Sequence, residues 1–257
     1  MARKLIVANW KMHFNTGQAS LYLHKLEQAV PSHRDVEVVL CPNMLSLQSL
    51  SLQVKHRQFH LGAQNCYYKD EGAFTGEVSA TMLRGLVQYV IVGHSERRHI
   101  FGERDKELAQ KVQAVLRNSI QPILCVGETH QERTDKETNT VLHDQVIAGL
   151  ANVTSEEIDQ VVIAYEPVWA IGTGDFAKPD DVTAAVAIIR KQIKALFGAE
   201  AARKIRILYG GSVDAGNAGA YLSLAGVDGL LVGGASLKAP VFSNIVTSAH
   251  QAVSVKK

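Results

Sequence analysis

The sequence has few cysteines and no long stretch of apolar residues. Its three cysteines, Cys41, Cys66 and Cys125, form no CxxC pair and no spacing typical of a disulfide framework, which favours a reducing compartment. The apolar run of residues 5–8 is too short for a signal peptide, and no segment approaches the roughly 20 apolar residues of a membrane span. We therefore expect a cytoplasmic protein with no membrane partner.

A block of charge of one sign is also missing. Lys and Arg total 27 against 25 Asp and Glu, and the two signs are interspersed. A nucleic-acid-binding surface usually shows a clustered basic stripe, so we expect no nucleic-acid partner. A small anionic ligand is not excluded, because a local basic group is enough to bind one.

Aromatic residues are sparse, at 6% against 46% for all hydrophobic residues, which predicts an aliphatic core. Short apolar runs recur at residues 5–9, 36–41, 59–64, 89–93, 122–126, 160–165, 205–210 and 228–233. Most are nearly continuous rather than alternating, as is typical of parallel strands that are buried on both faces.

Helical patterns separate these strands. Residues 16–30 and 106–118 have apolar positions at helical spacing, and a third helix is predicted to start at residues 178–181 and to stop at Gly198. About eight βα units predict a parallel (β/α)8 barrel in a single domain over residues 1–257. A doubly wound open sheet is the alternative, but no strand is followed by GxGxxG and no Walker A pattern occurs.

Polar residues and glycine pairs end several predicted strands. They are Asn9 and Lys11, Gln64 and Asn65, His94 to Glu96, Glu128, Glu166, Gly210 to Ser212, and Gly233 with Gly234. Barrel enzymes carry their chemistry at the carboxyl ends of the strands. Taken alone, each residue has an ordinary structural explanation, such as a solvated lysine or a tight turn. Together they indicate a barrel enzyme with an anionic ligand.

The two glycine-rich turns after the seventh and eighth strands favour a phosphorylated substrate. Backbone N–H groups at such turns bind anions, and barrels often hold phosphate there. The segment after Glu166, residues 167–174, is apolar and ends in Gly172-Thr173-Gly174. It is predicted to be a lid that excludes water, or alternatively a loop that is permanently packed on the surface.

Six segments in order along the chain resemble the signature blocks of the triosephosphate isomerase family. They are residues 8–12 (ANWKM), 73–77 (AFTGE), 92–98 (VGHSERR), 164–174 (AYEPVWAIGTG), 209–213 (YGGSV) and 231–237 (LVGGASL). The resemblance implies an isomerase of glycolysis and gluconeogenesis that interconverts dihydroxyacetone phosphate and D-glyceraldehyde 3-phosphate. It also implies that neither a metal nor an organic cofactor is needed, and His94, Glu96 and His99 do not form an HExxH motif.

The same resemblance implies a role for each site residue. Glu166 is the base that takes a carbon-bound proton, His94 polarises the carbonyl, and Lys11 stabilises the enediolate. Glu96 supports the site. The substrate contacts implied by the resemblance are Asn9, Lys11, Gly172, Ser212, Gly233 and Gly234.

A homodimer is implied through the loop that runs from Gln64 to Glu77, with Thr75 close to the partner's active site. The sequence departs from the common family pattern at residues 13–15 (HFN), 67–70 (YYKD) and 175–177 (DFA), and none of these changes removes a catalytic residue. Two alternatives remain open. One is another phosphosugar isomerase, such as a phosphoribosyl or indole-glycerol-phosphate type, and the other is a non-catalytic phosphate-binding barrel derived from the family.

Overall fold

The computed structural model describes residues 3–32, 34–171 and 175–254. Within these residues, parallel strands pair in chain order and the last strand pairs with the first, which closes a barrel of eight strands. The strands are β1 (Lys4–Asn9), β2 (Val36–Cys41), β3 (His60–Ala63), β4 (Tyr89–Val92), β5 (Gln121–Val126), β6 (Val162–Tyr165), β7 (Arg206–Tyr209) and β8 (Gly229–Val232). The predicted (β/α)8 fold is confirmed.

Helices surround the barrel. They are α1 (Thr16–Ala29), α2 (Met44–Ser51), α3 (Ala80–Leu83), α4 (Ser95–His99), α5 (Asp105–Arg117), α6 (His130–Thr134), α7 (Thr138–Gly149), α8 (Pro179–Lys204), α9 (Ala218–Ser223) and α10 (Ala239–Ser254). The prediction that the third helix stops at Gly198 is only half right. Gly198 breaks α8 with a φ of 88°, but helical backbone resumes and continues to Lys204. None of the helices in the described part of the chain is both long and apolar enough to cross a membrane.

The core has two layers because each strand is buried on both faces. In β1, Leu5 and Val7 belong to a cluster inside the barrel, while Ile6 and Ala8 belong to the layer between strands and helices. Successive side chains of a strand point to opposite faces. Both faces are therefore apolar, which explains why the strands read as continuous apolar runs.

A polar network spans the amino-terminal end of the barrel. Arg206 at the start of β7 donates to Glu37 Oε2 over 2.8 Å and to the Tyr89 hydroxyl over 2.8 Å, and Tyr89 donates to Glu37 Oε1 over 2.5 Å. Burial raises the pKa of Tyr89 above its usual range. The network therefore holds three strands together by charge-assisted hydrogen bonds at the end opposite the carboxyl ends of the strands.

Candidate active site

A cavity of about 480 Å³ opens at the carboxyl ends of the strands. Its walls include Asn9, Lys11, His94, Glu166, Ser212, Gly233 and Gly234, together with His13, Ile171, Phe176 and Asp214. The structure thus brings together the residues that the sequence places after β1, β4, β6, β7 and β8. Gly172, which was expected to contact phosphate, lies outside the described residues.

His94 and Glu166 face each other in this cavity. The distance from His94 Nε2 to Glu166 Oε1 is 3.1 Å, and both residues are buried. On the other side of the ring, Nδ1 accepts a hydrogen bond of 3.2 Å from the backbone N–H of Glu96, at the start of α4. Since a backbone N–H can only donate, Nδ1 is the acceptor of this bond, and the geometry favours the tautomer with its proton on Nε2, facing the Glu166 carboxylate. Glu96 Oε2 lies 3.5 Å from the same Nδ1.

Glu166 is fixed by the main chain on two sides. Its Oε2 accepts from the backbone N–H of Ser95 over 2.9 Å, and its own N–H donates to the carbonyl of Val126 over 2.8 Å. Gly127, after β5, allows the two strand ends to come this close, because a Cβ there would lie 1.8 Å from the carbonyl oxygen of Glu166. Any side chain at this position would displace the candidate base.

Lys11 reaches the cavity from an unusual backbone conformation. Its φ is 53°, in the left-handed region that non-glycine residues seldom adopt. Asn9 Oδ1 accepts from the Lys11 N–H over 3.0 Å, and Gln64 Nε2 donates to the Lys11 carbonyl over 2.8 Å. The ammonium group lies 2.6 Å from Glu96 Oε1. The position of Lys11 is thus fixed both at its backbone and at its ammonium group.

The two glycine-rich turns follow the paired strands β7 and β8 and line the same cavity side by side. Gly233 precedes a short 3₁₀ helix, Gly234–Leu237, and a Cβ on Gly233 would lie 3.3 Å from Lys11 Cε. Ser212 directs both its N–H and its hydroxyl to the carbonyl of Ala170, over 3.1 and 2.5 Å. An anion bound by the Ser212 N–H must therefore displace this carbonyl.

A buried carboxylate supports the start of the segment after Glu166. Glu128 is fully buried and accepts from Trp169 Nε1 over 2.9 Å and from the Tyr165 hydroxyl over 3.1 Å. The Arg133 guanidinium lies 4.2 Å from the centre of the Trp169 ring. Burial raises the pKa of Glu128 above its usual range. Glu128 thus ties the turn after β5 to the chain that follows the candidate base.

Cys125 is adjacent to the site but has the properties of a structural thiol. It is buried inside the barrel, and burial, reinforced by the negative charge of Glu166, raises its pKa well above the usual range. A thiol that stays protonated is a poor nucleophile. Across the described part of the chain, no group of three or more His, Cys, Asp or Glu residues is placed to hold a metal ion.

A second cavity, of about 290 Å³, lies on the other side of Lys11 and His94. Its walls include Glu96 and residues of the loop from Gln64 to Glu77, and Thr75 in that loop is exposed. Two of the side chains that line it, Met12 and Phe101, are large, apolar and exposed. Such a patch is typical of a protein–protein interface.

Sequence reasoning did not identify every group that shapes the site. The sequence predicts Gln64 only as a strand end and as the start of the dimer loop, although its amide holds Lys11. The backbone N–H of Ser95 has no signature in the sequence beyond its place at the start of α4. The sequence predicts Glu128 only as a strand end, since nothing in it shows that Trp169 covers the carboxylate.

Comparison with known proteins identifies the family. The family described as Triosephosphate isomerase matches residues 4–249. Proteins named triosephosphate isomerase from Dictyoglomus thermophilum, Endomicrobium trichonymphae and Roseiflexus sp. are 43%, 45% and 46% identical to this chain. Each alignment covers 96% of this chain and 97% or more of the relative. The chain belongs to the triosephosphate isomerase family.

Proposed function

We propose that this chain, as a member of the triosephosphate isomerase family, interconverts dihydroxyacetone phosphate and D-glyceraldehyde 3-phosphate through an enediolate. The observation that carries the proposal is the 3.1 Å pairing of the Glu166 carboxylate with His94 Nε2, in a cavity that also contains Lys11. Moving a proton between adjacent carbons needs a base and, beside it, a group that stabilises the oxyanion. These residues supply both.

In this mechanism Glu166 takes the proton from the carbon beside the carbonyl and returns it to the neighbouring carbon. The carboxylate oxygens are bound by Ser95 N–H and by His94. Substrate has to enter between Glu166 and His94, so that the carboxylate turns from the imidazole to the carbon. The reaction is redox-neutral and transfers no group, and the proposal therefore involves neither a metal nor an organic cofactor.

His94 acts as the electrophile. Its Nε2 proton, directed at Glu166, is the one that a substrate carbonyl accepts when the carboxylate turns away. A neutral imidazole can donate to the enediolate oxygen and move a proton between the two substrate oxygens. The N–H of Glu96 on Nδ1 also disfavours a proton there, which keeps Nε2–H as the donor.

Lys11 supplies positive charge to the enediolate and to the phosphate group. Asn9 orients the backbone of Lys11, and Glu96 holds its ammonium group. The phosphate is bound by the N–H groups of Ser212, Gly233 and Gly234, with Gly172 as a further contact. Phosphate binding here is consistent with the side-by-side position of the two glycine-rich turns.

The proposal extends to a cytoplasmic homodimer of single-domain subunits. The loop from Gln64 to Glu77 and the exposed apolar side chains around it would be covered by the partner, and Thr75 would approach the partner's Lys11 and His94. Sedimentation equilibrium tests the assembly, and a Thr75→Arg variant, which adds charge at the loop tip, is expected to shift it toward monomers.

The enzyme assay is the direct test. Purified protein is given D-glyceraldehyde 3-phosphate, and the dihydroxyacetone phosphate formed is read through a coupled reductase. We expect fast turnover in the parent, a loss of at least roughly a thousandfold in kcat in Glu166→Gln, and no change in Glu200→Gln, an exposed carboxylate on α8. A folded parent without turnover contradicts the proposal and favours a non-catalytic phosphate-binding barrel.

A further inference from the structure

A second concave surface lies at the opposite end of the barrel. It is a cleft of about 160 Å³ between the residues that precede β1, β2 and β3, and we call it the amino-terminal cleft. Its walls include Arg3, Ser32, Arg34, His56, Arg57 and His60. Three segments far apart in the chain therefore place arginine and histidine side chains around one depression.

The charges in the amino-terminal cleft are unbalanced. Glu37 is the one carboxylate among its described wall residues. It is bound by Arg206 and by Tyr89, and it lies 3.8 Å from His60 Nε2. Arg3, Arg34 and Arg57 form no ion pair with any residue in the described ranges, whereas arginines such as Arg190 have a carboxylate partner within 2.9 Å. A concave surface lined by charge of one sign focuses its field and attracts counter-ions.

We propose that the amino-terminal cleft binds the phosphate group of a small anion. Guanidinium groups match phosphate oxygens in charge and in bidentate geometry. The volume is below the roughly 300 Å³ at which pockets begin to hold drug-sized ligands, so the site suits phosphate or a short phosphomonoester rather than a whole nucleotide. This binding site is separate from the proposed catalytic cavity and does not depend on the proposed reaction.

The test is a titration followed by ¹H–¹⁵N NMR at constant ionic strength. Inorganic phosphate and glycerol 3-phosphate are the two probes. The backbone amide of His60 and the Nε–H groups of Arg34 and Arg57 report on the cleft, while the Gly211 and Gly233 amides report on the catalytic cavity. Signals of both groups are expected to shift in the parent, with separate dissociation constants. Equal affinity of the probes in the cleft identifies phosphate itself as sufficient, and tighter glycerol 3-phosphate binding identifies a phosphomonoester.

Paired variants separate the two sites. Arg34→Gln/Arg57→Gln is expected to weaken cleft binding by roughly tenfold or more, about 1.4 kcal/mol, while turnover and the shifts of the catalytic cavity stay unchanged. Lys11→Met is expected to weaken binding in the catalytic cavity and to lower turnover, while cleft binding stays unchanged. The control, Arg84→Gln/Arg203→Gln, removes the same charge elsewhere and should leave cleft binding intact.

Three results overturn the proposal. The first is cleft signals that do not move with either probe, or that move equally with added sodium chloride. The second is a control pair that weakens phosphate binding as much as the cleft pair does. The third is a short DNA duplex that shifts signals across the whole amino-terminal face more tightly than phosphate does, since that pattern identifies a nucleic-acid surface instead.

Discussion

The side-chain amide of Gln64 donates to the main-chain carbonyl of Lys11 over 2.8 Å and, with the same nitrogen, to the carbonyl of Cys41 over 2.9 Å. Gln64 follows β3, Cys41 ends β2 and Lys11 follows β1. The amide therefore joins the ends of three neighbouring strands, and it does so where the Lys11 backbone has a φ of 53°.

We expect Gln64→Glu to disturb the backbone position of Lys11 rather than any contact with the substrate. A carboxylate cannot donate, and its charge faces two carbonyl oxygens, so the backbone of Lys11 loses its support. The free energy of unfolding should fall by about 1–3 kcal/mol, and kcat/KM should fall roughly tenfold. Steady-state kinetics and urea unfolding at fixed protein concentration measure both. Gln48→Glu, an exposed amide on α2, is the matched control, and an unchanged kcat/KM in Gln64→Glu would show that Lys11 holds its conformation without the amide.

Glu96→Gln should separate activity from stability. The Lys11–Glu96 ion pair is partly exposed, and such pairs contribute only about 0–1 kcal/mol to folding. The carboxylate nevertheless sets where the ammonium group lies. We expect the free energy of unfolding to change by less than about 1 kcal/mol while kcat/KM falls roughly tenfold or more. A loss of activity that follows a loss of folded protein, measured by circular dichroism, contradicts this assignment.

Glu128 should make stability depend on pH. Burial raises its pKa in the folded chain, so between the ordinary and the raised pKa the folded state binds a proton that the unfolded state does not. The contribution of the protonated Glu128 to the free energy of unfolding is complete below the ordinary pKa of about 4.3. It is lost as the pH rises through the pKa of Glu128 in the folded chain. We therefore expect the parent to lose stability relative to Glu128→Gln as the pH rises from acid toward neutral. Denaturant titrations of both proteins across that range provide the comparison, and parallel curves would contradict the prediction.

The three thiols should be inert in the folded protein. Cys41, Cys66 and Cys125 are all buried, and burial raises the pKa of each, to about 12 for Cys66. Because the thiolate is the reactive form, a chromogenic disulfide reagent at mildly alkaline pH should label none of them until denaturant is added. All three should then react at once. Rapid labelling of one thiol under native conditions would show that the barrel opens locally.

Two glycine-to-alanine changes should have opposite effects. In Gly127→Ala the new methyl group would meet the Glu166 carbonyl oxygen at 1.8 Å, whereas at Gly219 in α9 it would meet nothing within 4 Å. We expect Gly127→Ala to cost more than about 3 kcal/mol of stability and most of the activity. Gly219→Ala should gain up to about 1 kcal/mol with activity unchanged. Thermal unfolding and the coupled assay distinguish the two, and a well-folded, active Gly127→Ala would show that the ends of β5 and β6 can separate freely.

The strands could be predicted because their burial is visible in the sequence. Residues such as Leu5 and Ile6 are apolar in succession, since one faces the barrel interior and the next faces the helices. The break at Gly198 was also predicted, but the helical turns beyond it were not, because a glycine permits a break without ending the helix.

The site was predictable only in its outline. The topology alone places Lys11, His94 and Glu166 at one end of the barrel. Contacts to the main chain have no sequence signal, and the sequence therefore does not predict the hydrogen bonds from Ser212 to the carbonyl of Ala170. The amino-terminal cleft has no sequence signal for a related reason. Its arginines are scattered along the chain, and only the pairing of β1, β2 and β3 brings them together.

The hydrogen bond from the Glu96 N–H to His94 Nδ1 is robust to mutation. Every amino acid except proline supplies the same donor at position 96, so single substitutions there can alter the carboxylate, which lies 3.5 Å from Nδ1, but not this hydrogen bond. Only a proline, or an insertion or deletion that shifts the start of α4, removes the donor. Sequence drift in this segment is therefore free to tune the environment of Lys11 while the hydrogen bond on His94 Nδ1 is inherited with the backbone.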